Sequence, residues 1–276
     1  MTLLTISTVK GAPGGSTLGL LLARVVGEAN SGNVPSRHAS ILAECDLCGG
    51  DAGPRLGLPG VPGLASLALA ARHGLDEEVL SAHTQVTDRL PGTELLLGVA
   101  GPEQGVALSW MLEPLARVLA NSDRWAIADL GRLSSRDDMN DVFRRGAAVN
   151  LLVTNDTVAS LLHARAAVET FGRQGIRLEL VVVGERTHPV THISRTTGSS
   201  VVGTVRYDPP AVADLLSRRG NPPAFRSRRP WPRPTRAAGA CGLRADVASV
   251  LKSLEGRAPA PAGAALSASP GTAANR

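Results

Sequence analysis

STVKGAPGGSTLGLLLA, residues 7–23, leads from an apolar segment through a glycine-rich turn into a run of leucines with helical spacing. Such a turn lets the backbone approach an anion closely, and the helix that follows directs its N-terminal dipole at that anion. A phosphate-binding loop also carries a Lys for the outer phosphates and then a Ser or Thr for Mg²⁺. Here Gly15 stands at the position of that Lys, and Ser16 follows it. The stretch therefore predicts a phosphate site that lacks its main cation, and a plain glycine turn that opens a helix is the alternative.

The strand, loop and helix pattern of this stretch recurs along the chain. Short apolar runs predict buried strands at residues 3–8, 39–46, 94–101, 124–131, 148–155 and 177–185. Segments with helical spacing lie between them, among others at residues 64–72, 106–120 and 157–171. Continuous apolar strands that alternate with helices are typical of a parallel sheet covered on both faces. The sequence therefore predicts an α/β fold in three layers with a mainly parallel sheet, whose functional loops follow the carboxyl ends of the strands.

The composition is that of an ordinary globular protein. The 276 residues are 43% hydrophobic and 19% charged, which is enough apolar material for one sizeable core. No charged and then apolar signal segment precedes the first strand, and no apolar run reaches the roughly 20 residues that span a bilayer. We therefore expect a cytoplasmic protein, with its three Cys as reduced thiols.

Two further strand ends carry carboxylates suited to a metal ion. The segment ILAECDLCGGD has Glu44 and Asp46 at the end of the second predicted strand, and RWAIADLGRL has Asp129 and Gly131 at the end of another. A carboxylate beside Mg²⁺ is physically reasonable there, because the metal charge offsets the cost of removing the carboxylate from water. Taken singly, each acidic residue could equally cap a turn.

These three segments, in this order, resemble the deviant phosphate loop and the acidic strand ends of the MinD/ParA-type ATPases. The resemblance covers roughly residues 1–220 and implies a P-loop NTPase-like fold that binds ATP with Mg²⁺. In that family the early Lys of the loop, here Lys10, reaches across a dimer interface to the partner's phosphates. The loop backbone cradles the phosphates, which here assigns Gly11, Ala12, Pro13, Gly14, Gly15, Ser16 and Thr17.

The same resemblance assigns a role to each polar residue of the site. Ser16 would bind Mg²⁺, Asp129 would hold the ion through water, and Gly131 would sense the terminal phosphate. Asp46 would orient the attacking water, with Glu44 in support. Because phosphoryl transfer depends on positioning and on neutralising phosphate charge, the missing loop Lys predicts weak or absent ATP hydrolysis.

The base-recognition region departs from the family pattern. The family has an Asn-Arg pair that reads adenine after the corresponding strand, whereas this chain has Gly184-Glu185-Arg186. The segment that closes the pocket corresponds to Tyr207-Asp208-Pro209, which assigns Asp208 to the nucleotide site. The resemblance thus implies an ATP-dependent homodimeric switch that acts through a protein partner in partitioning, in positioning, or in secretion or pilus assembly. A scaffold with an empty pocket is the rival interpretation.

The chain beyond residue 220 is predicted to consist of appendages. Closely spaced prolines at 221–239 predict a linker, 240–256 has the pattern of an amphipathic helix, and 257–276 is too poor in bulky apolar residues to fold. The arginine-rich segment 218–236 is expected to be a solubilising tether, and nonspecific contact with DNA or with an acidic membrane surface is the alternative. Peripheral association with the membrane or the nucleoid would follow from such contact.

Two residue pairs have spacings that occur in metal sites. Cys45 and Cys48 form a CxxC, and His188 and His192 stand four residues apart. Only Cys241 remains to complete a zinc site with the CxxC, and no carboxylate cluster accompanies the histidines. We therefore expect unreactive cysteines and a solvated histidine loop, with redox or metal chemistry as the alternative.

Overall fold

Seven strands form one sheet in the part of the chain that the computed structural model describes, namely residues 3–30, 38–133, 138–185, 187–216, 236–255 and residue 257. The strands are β1 Leu3–Thr8, β2 Ser40–Glu44, β3 Thr93–Leu96, β4 Trp125–Arg132, β5 Val149–Thr154, β6 Glu179–Val183 and β7 Val201–Val205. Their order across the sheet is β3-β2-β4-β1-β5-β6-β7, and each neighbouring pair is parallel. The predicted α/β fold with a parallel sheet is confirmed. All seven carboxyl ends therefore meet at one edge, where β1 lies between β4 and β5.

Helices cover both faces of this sheet. They are α1 Gly15–Asn30, α2 Ala52–Leu56, α3 Leu64–Ala70, α4 Glu77–Ala82, α5 Pro102–Leu108, α6 Leu112–Asn121, α7 Asp141–Gly146, α8 Val158–Arg173, α9 Val190–Thr197, α10 Pro209–Leu216 and α11 Arg236–Glu255. Alternate strand residues point to opposite faces, so Leu4 and Ile6 pack under α1, α2, α10 and α11. Leu3 belongs to the core on the other face, beneath α3, α4, α6 and α7, and α8 and α9 complete that layer.

The helix predicted over residues 106–120 is divided in two. Helix α5 ends at Leu108, a three-residue 3₁₀ turn follows at Ser109–Met111, and α6 begins at Leu112. Pro114 explains the break, because in one continuous helix its ring would clash with the carbonyl group of Trp110 and its missing N–H would remove a hydrogen bond. In the first turn of α6 the same proline does no harm, since N–H groups there have no intrahelical acceptor.

Helix α11 packs on β7, α10 and α1. Its buried stripe consists of Leu243, Val247, Val250, Leu251 and Leu254. A Cβ atom on Gly203 in β7 would lie 2.7 Å from the Cγ2 atom of Val250, so the helix approaches the strand closely at that glycine. An ion pair of 2.6 Å joins Arg244 of α11 to Glu28 of α1.

The predicted appendages fall largely on residues that the structure does not describe. Helix α11 begins at Arg236, within the segment predicted as a linker, and residues 217–235 lie outside the described part of the chain. The predicted tail also lies outside it from residue 258 onwards, as does Arg186 of the base-recognition region.

Candidate functional site

The loop between β1 and α1 is shaped by two glycines and held by β5. Gly11 and Gly14 have φ angles of +78° and +96°, a region that residues with a Cβ atom rarely adopt. The N–H of Val9 donates to the carbonyl oxygen of Val153 at 3.1 Å, and the side-chain amide of Asn155 donates to that of Gly11 at 3.4 Å. The first N–H groups of α1 belong to Gly15, Ser16 and Thr17, which have no intrahelical acceptors. They are suited to an anion.

The position of the missing loop Lys is occupied by a neighbouring side chain. Gly15 is the first residue of α1, so its backbone does not require a glycine. A Cβ atom there would, however, lie 2.2 Å from the Cγ2 atom of Thr8, the last residue of β1. A Lys at position 15 would therefore overlap the side chain of Thr8. The sequence pattern did not reveal this close approach of Gly15 and Thr8.

Ser16 and Asp129 are brought together at the carboxyl edge of the sheet. The Ser16 hydroxyl donates a hydrogen bond to the Asp129 carboxylate, which also accepts one from the N–H of Gly131 at 3.0 Å. Burial raises the pKa of Asp129 to about 6, with smaller contributions in the same direction from Glu44 and Asp46, while these two hydrogen bonds oppose the shift. The two hydrogen bonds therefore offset only part of the free-energy cost of burying the charged carboxylate.

Gly131 is fixed both by its backbone and by its contact with Asp46. Its φ angle is +66°, and a Cβ atom would lie 1.9 Å from the Oδ2 atom of Asp46. The Oδ1 atom of Asp46 accepts a hydrogen bond from the N–H of Cys48 at 2.8 Å. Burial raises the pKa of Asp46, and the hydrogen bonds from Cys48 oppose that shift. Asp46, Asp129 and Gly131 thus form one cluster beside the loop.

Glu44 has contacts of a different kind. Its Oε1 atom accepts hydrogen bonds from the N–H groups of Asp51 and Ala52 at 2.8 and 2.7 Å, and its Oε2 atom accepts one from Gly98 at 3.1 Å. The side chain therefore ties the start of α2 to the end of β3. Glu44 thus has a structural role in this arrangement. Asp46 and Asp129 are the carboxylates of the cluster that could take part in chemistry.

The remaining predicted residues lie around the same edge. Lys10 is exposed on the loop. Asp208 precedes α10, and its Oδ1 atom accepts a hydrogen bond from the N–H of Ala211 at 3.0 Å, so it caps that helix. Gly184, where the family has an Asn, has a φ angle of +110° and donates its N–H to the carbonyl oxygen of Val205 at 2.9 Å.

A cavity of about 880 Å³ opens between the phosphate loop and the segment after β7. Gly14 and Thr17 of the loop are among the residues that line it, and so are Tyr207 and Asp208 of that segment. Most of its wall is apolar, with Leu18, Leu21, Val183, Val205, Val212, Leu216 and Leu243. Three arginines also face it, namely Arg55, Arg89 and Arg206. Neither Arg55 nor Arg89 was singled out from the sequence, because nothing local marks them.

The oxygen atoms of this site fit Mg²⁺ bound together with a phosphate ligand. Mg²⁺ in nucleotide sites is held by one or two side-chain oxygens, by waters and by the phosphates themselves. Ser16 and Asp129 supply a hydroxyl and a buried carboxylate of that kind. Within the described ranges no group of three His, Cys, Asp or Glu residues could hold a metal ion by itself.

The CxxC and the histidine pair have ordinary contacts. Cys45 is buried, and burial followed by the charges of nearby carboxylates raises the pKa of its thiol well above the usual value, which disfavours the reactive thiolate. The Nδ1 atom of His188 lies 2.6 Å from the Oδ1 atom of Asp156, and the His188 ring stacks on that of His192. Asp156, after β5, is a partner that the sequence analysis did not identify.

The parallel seven-stranded sheet, with the strand–loop–helix element at β1 and α1, is the fold of the P-loop class of α/β proteins. Solved structures of the MinD and ParA ATPases have the same fold. A ParA family ATPase from Chlorobium tepidum superposes with a TM-score of 0.65 at 20% identity, covering 78% of this chain and 87% of its own. A chain of the MinC:MinD cell division protein complex from Aquifex aeolicus superposes with a TM-score of 0.65 at 14% identity, covering 94% of this chain and 97% of its own.

A third similar structure is the septum site-determining protein MinD of Pyrococcus horikoshii, solved with Mg-ADP. It superposes with a TM-score of 0.64 at 15% identity, covering 92% of this chain and 95% of its own. No protein-family model and no curated protein matches the sequence. None of the described helices has the length and hydropathy that a bilayer crossing requires.

Proposed function

We propose that this chain is a nucleotide-binding protein of the MinD/ParA kind that binds ATP with Mg²⁺ and hydrolyses it weakly or not at all. The proposal depends chiefly on the contact between the Ser16 hydroxyl and the buried carboxylate of Asp129 beside a glycine-shaped loop. A P-loop site needs these two groups for its metal ion. The MinD structure with Mg-ADP, which has the same fold, supports this choice of ligand.

Each group would have a defined task in the proposed site. The loop from Gly11 to Thr17 would bind the phosphates through backbone N–H groups, and Mg²⁺ on Ser16 and Asp129 would neutralise their charge. Asp46 would accept a hydrogen bond from the attacking water. Gly15 contributes no cation. Neutralisation of the negative charge on the phosphates by positive groups is a large part of phosphoryl-transfer catalysis. We therefore expect slow turnover.

A thermal melt with and without Mg-ATP tests the binding proposal. At 100 times the Kd, specific binding adds about 2.7 kcal/mol to the free energy of unfolding, and the melting temperature should rise accordingly. Ser16→Ala is the matched control, since it removes only the hydroxyl and should lose most of this shift. An unchanged melting temperature of the wild type at millimolar Mg-ATP would favour the alternative, a scaffold with an empty pocket.

The proposed biological role is a nucleotide-dependent homodimer that positions or partitions a larger assembly through a protein partner. Lys10 is exposed on the loop, where it could reach the phosphates of a second copy. Sedimentation of wild type and Lys10→Ala with and without ATP tests this. The wild type should dimerise with ATP and the variant should not, whereas a variant that dimerises equally would reject the cross-subunit role.

Contact with DNA or an acidic membrane surface through residues 218–236 is a separate part of the proposal, and so is a cytoplasmic location peripheral to membrane or nucleoid. The arginine content of this segment is its support. Deletion of residues 221–235 keeps α11 whole and should lower DNA or vesicle retention across a salt series. Retention that is unaffected by the deletion would leave the segment as a tether.

A further inference from the structure

Two arginines that face the cavity have no carboxylate partner among the described residues. The Nη2 atom of Arg55 in α2 donates to the Oγ1 atom of Thr17 at 3.0 Å, and the Nη1 atom of Arg89 donates to the carbonyl oxygen of Arg55 at 3.3 Å. No ion pair of either guanidinium group with Asp or Glu occurs among the residues that the structure describes. Two positive charges therefore face the same space as the phosphate loop.

Arg206, the third arginine of the cavity, behaves differently. Its Nε and Nη2 atoms donate to the Asp246 carboxylate of α11 at 2.7 and 3.0 Å. Its charge is thus neutralised within the protein. The contrast identifies Arg55 and Arg89 as the groups whose charge is left for a ligand, and only Arg55 contacts the first turn of α1 directly.

We infer that Arg55 is a nucleotide-binding residue that supplies phosphate-neutralising charge in place of the Lys missing at Gly15. This rests on the proposed function and deepens it. The Thr17 hydroxyl holds the guanidinium group beside the N-terminus of α1, where the free N–H groups of the helix favour an anion. A guanidinium group suits a phosphate because it offers several N–H donors in a planar fork.

The cavity also specifies the rest of the ligand. Most of the residues that line the cavity are apolar, with Leu18, Leu21 and Val212 among them. Such a wall suits the flat, weakly polar base and sugar of a nucleotide better than a simple anion such as inorganic phosphate. The ligand class that fits is therefore a nucleoside phosphate whose phosphate end meets Thr17 and Arg55.

Calorimetric titration of the full-length chain with Mg-ATP tests the inference. Arg55→Gln removes the charge and should weaken binding about ten- to a hundredfold, the effect of one charge-assisted hydrogen bond. Arg55→Lys keeps the charge and should recover part of that loss. Arg117→Gln is the matched control, because it removes the same charge from an exposed position on α6 and should bind as the wild type does.

The outcomes separate this inference from the proposed function. Wild-type affinity in Arg55→Gln, with binding intact in the wild type, overturns the role of Arg55 and leaves the nucleotide site standing. Absence of binding by the wild type at millimolar Mg-ATP overturns both. If Arg55→Gln does not fold, Arg55→Met keeps the aliphatic stem without the charge and should give the same loss.

Discussion

Single side chains decide how far this loop departs from an ordinary phosphate loop. Gly15 has room for a side chain only if Thr8 yields, since the Cγ2 atom of Thr8 occupies the place of its Cβ atom. Arg55 reaches the same turn from 38 residues further along the chain. At the residue scale a methyl group therefore stands where the Cβ atom of a residue 15 side chain would lie, and in our inference Arg55 supplies the positive charge instead of a Lys.

The full effect of restoring a Lys at position 15 requires a second substitution at Thr8. In Thr8→Ser/Gly15→Lys the methyl group is absent, so the new ammonium group can reach the phosphates, and Mg-ATP should bind about ten- to a hundredfold more tightly than to Thr8→Ser. Gly15→Lys alone should gain less, because the Thr8 methyl group must first move. Calorimetry on the three variants measures this. A folded double variant with the affinity of Thr8→Ser would show that the loop does not bind phosphates.

The buried carboxylate of Asp129 should make the stability of the metal-free protein depend on pH. Its folded-state pKa of about 6 exceeds the value of about 4 in unfolded chains. The folded state therefore binds more protons in this range, and stability is lost as the pH rises through about 4 to 6. Without Mg²⁺, Asp129→Asn should raise the free energy of unfolding at pH 7.5 by up to about 3 kcal/mol.

Most of that gain should disappear at pH 4.5, where Asp129 is largely protonated in the folded wild type. Urea denaturation of both proteins at the two pH values is the measurement. If Asp129→Asn raised the free energy of unfolding equally at pH 4.5 and 7.5, the effect would come from packing and not from the titration of Asp129.

At the scale of elements, α11 covers the flank of the cavity and depends on close approach to β7. Leu243 of α11 lines the cavity, and Asp246 of the same helix holds Arg206 at its rim. The contact between Gly203 and Val250 fixes the distance from helix to sheet. Helix and strand are thus coupled to the site through packing.

Gly203→Ala should destabilise the protein by about 1–3 kcal/mol, because the added methyl group overlaps Val250. Gly172→Ala in α8 is the control, since nothing lies within 4 Å of its added methyl group and it should stabilise by roughly 0.5–1 kcal/mol. Chemical denaturation measures both. Val250→Ala combined with Gly203→Ala should cost less than the sum of the single changes, and strict additivity would contradict the proposed contact.

At the scale of the whole molecule, six of the seven strands were predictable because each of them is a short apolar run between turn residues, whereas β7, Val201–Val205, was not among the predicted runs. The apolar runs at β1, β4 and β5 predicted buried strands, and the helices between the strands predicted that the strands pair in parallel. The break at Pro114 was missed because the apolar spacing continues through it. A prediction from periodicity uses only the spacing of apolar side chains. It therefore does not detect the clash of one proline ring with the backbone.

The only part of the candidate site that could be predicted consists of residues whose position follows from the order of the strands along the chain. Ser16 follows β1, and Asp129 lies in the carboxyl-terminal half of the neighbouring strand β4, so a parallel sheet brings them to one edge. The contacts of Thr8, Arg55 and Asp156 depend on how loops fold back, and no local pattern encodes them. The arginines in particular look like solvated surface charges until the cavity is seen.

The central claim, that the loop binds a magnesium nucleotide without its usual Lys, is tested most directly by titrating ATP into the wild type with Mg²⁺ and with EDTA. We predict saturable binding of one ATP per chain that weakens at least tenfold in EDTA, and equally in Ser16→Ala with Mg²⁺ present. No saturable binding up to millimolar ATP, or binding that is indifferent to both Mg²⁺ and Ser16, would contradict the claim.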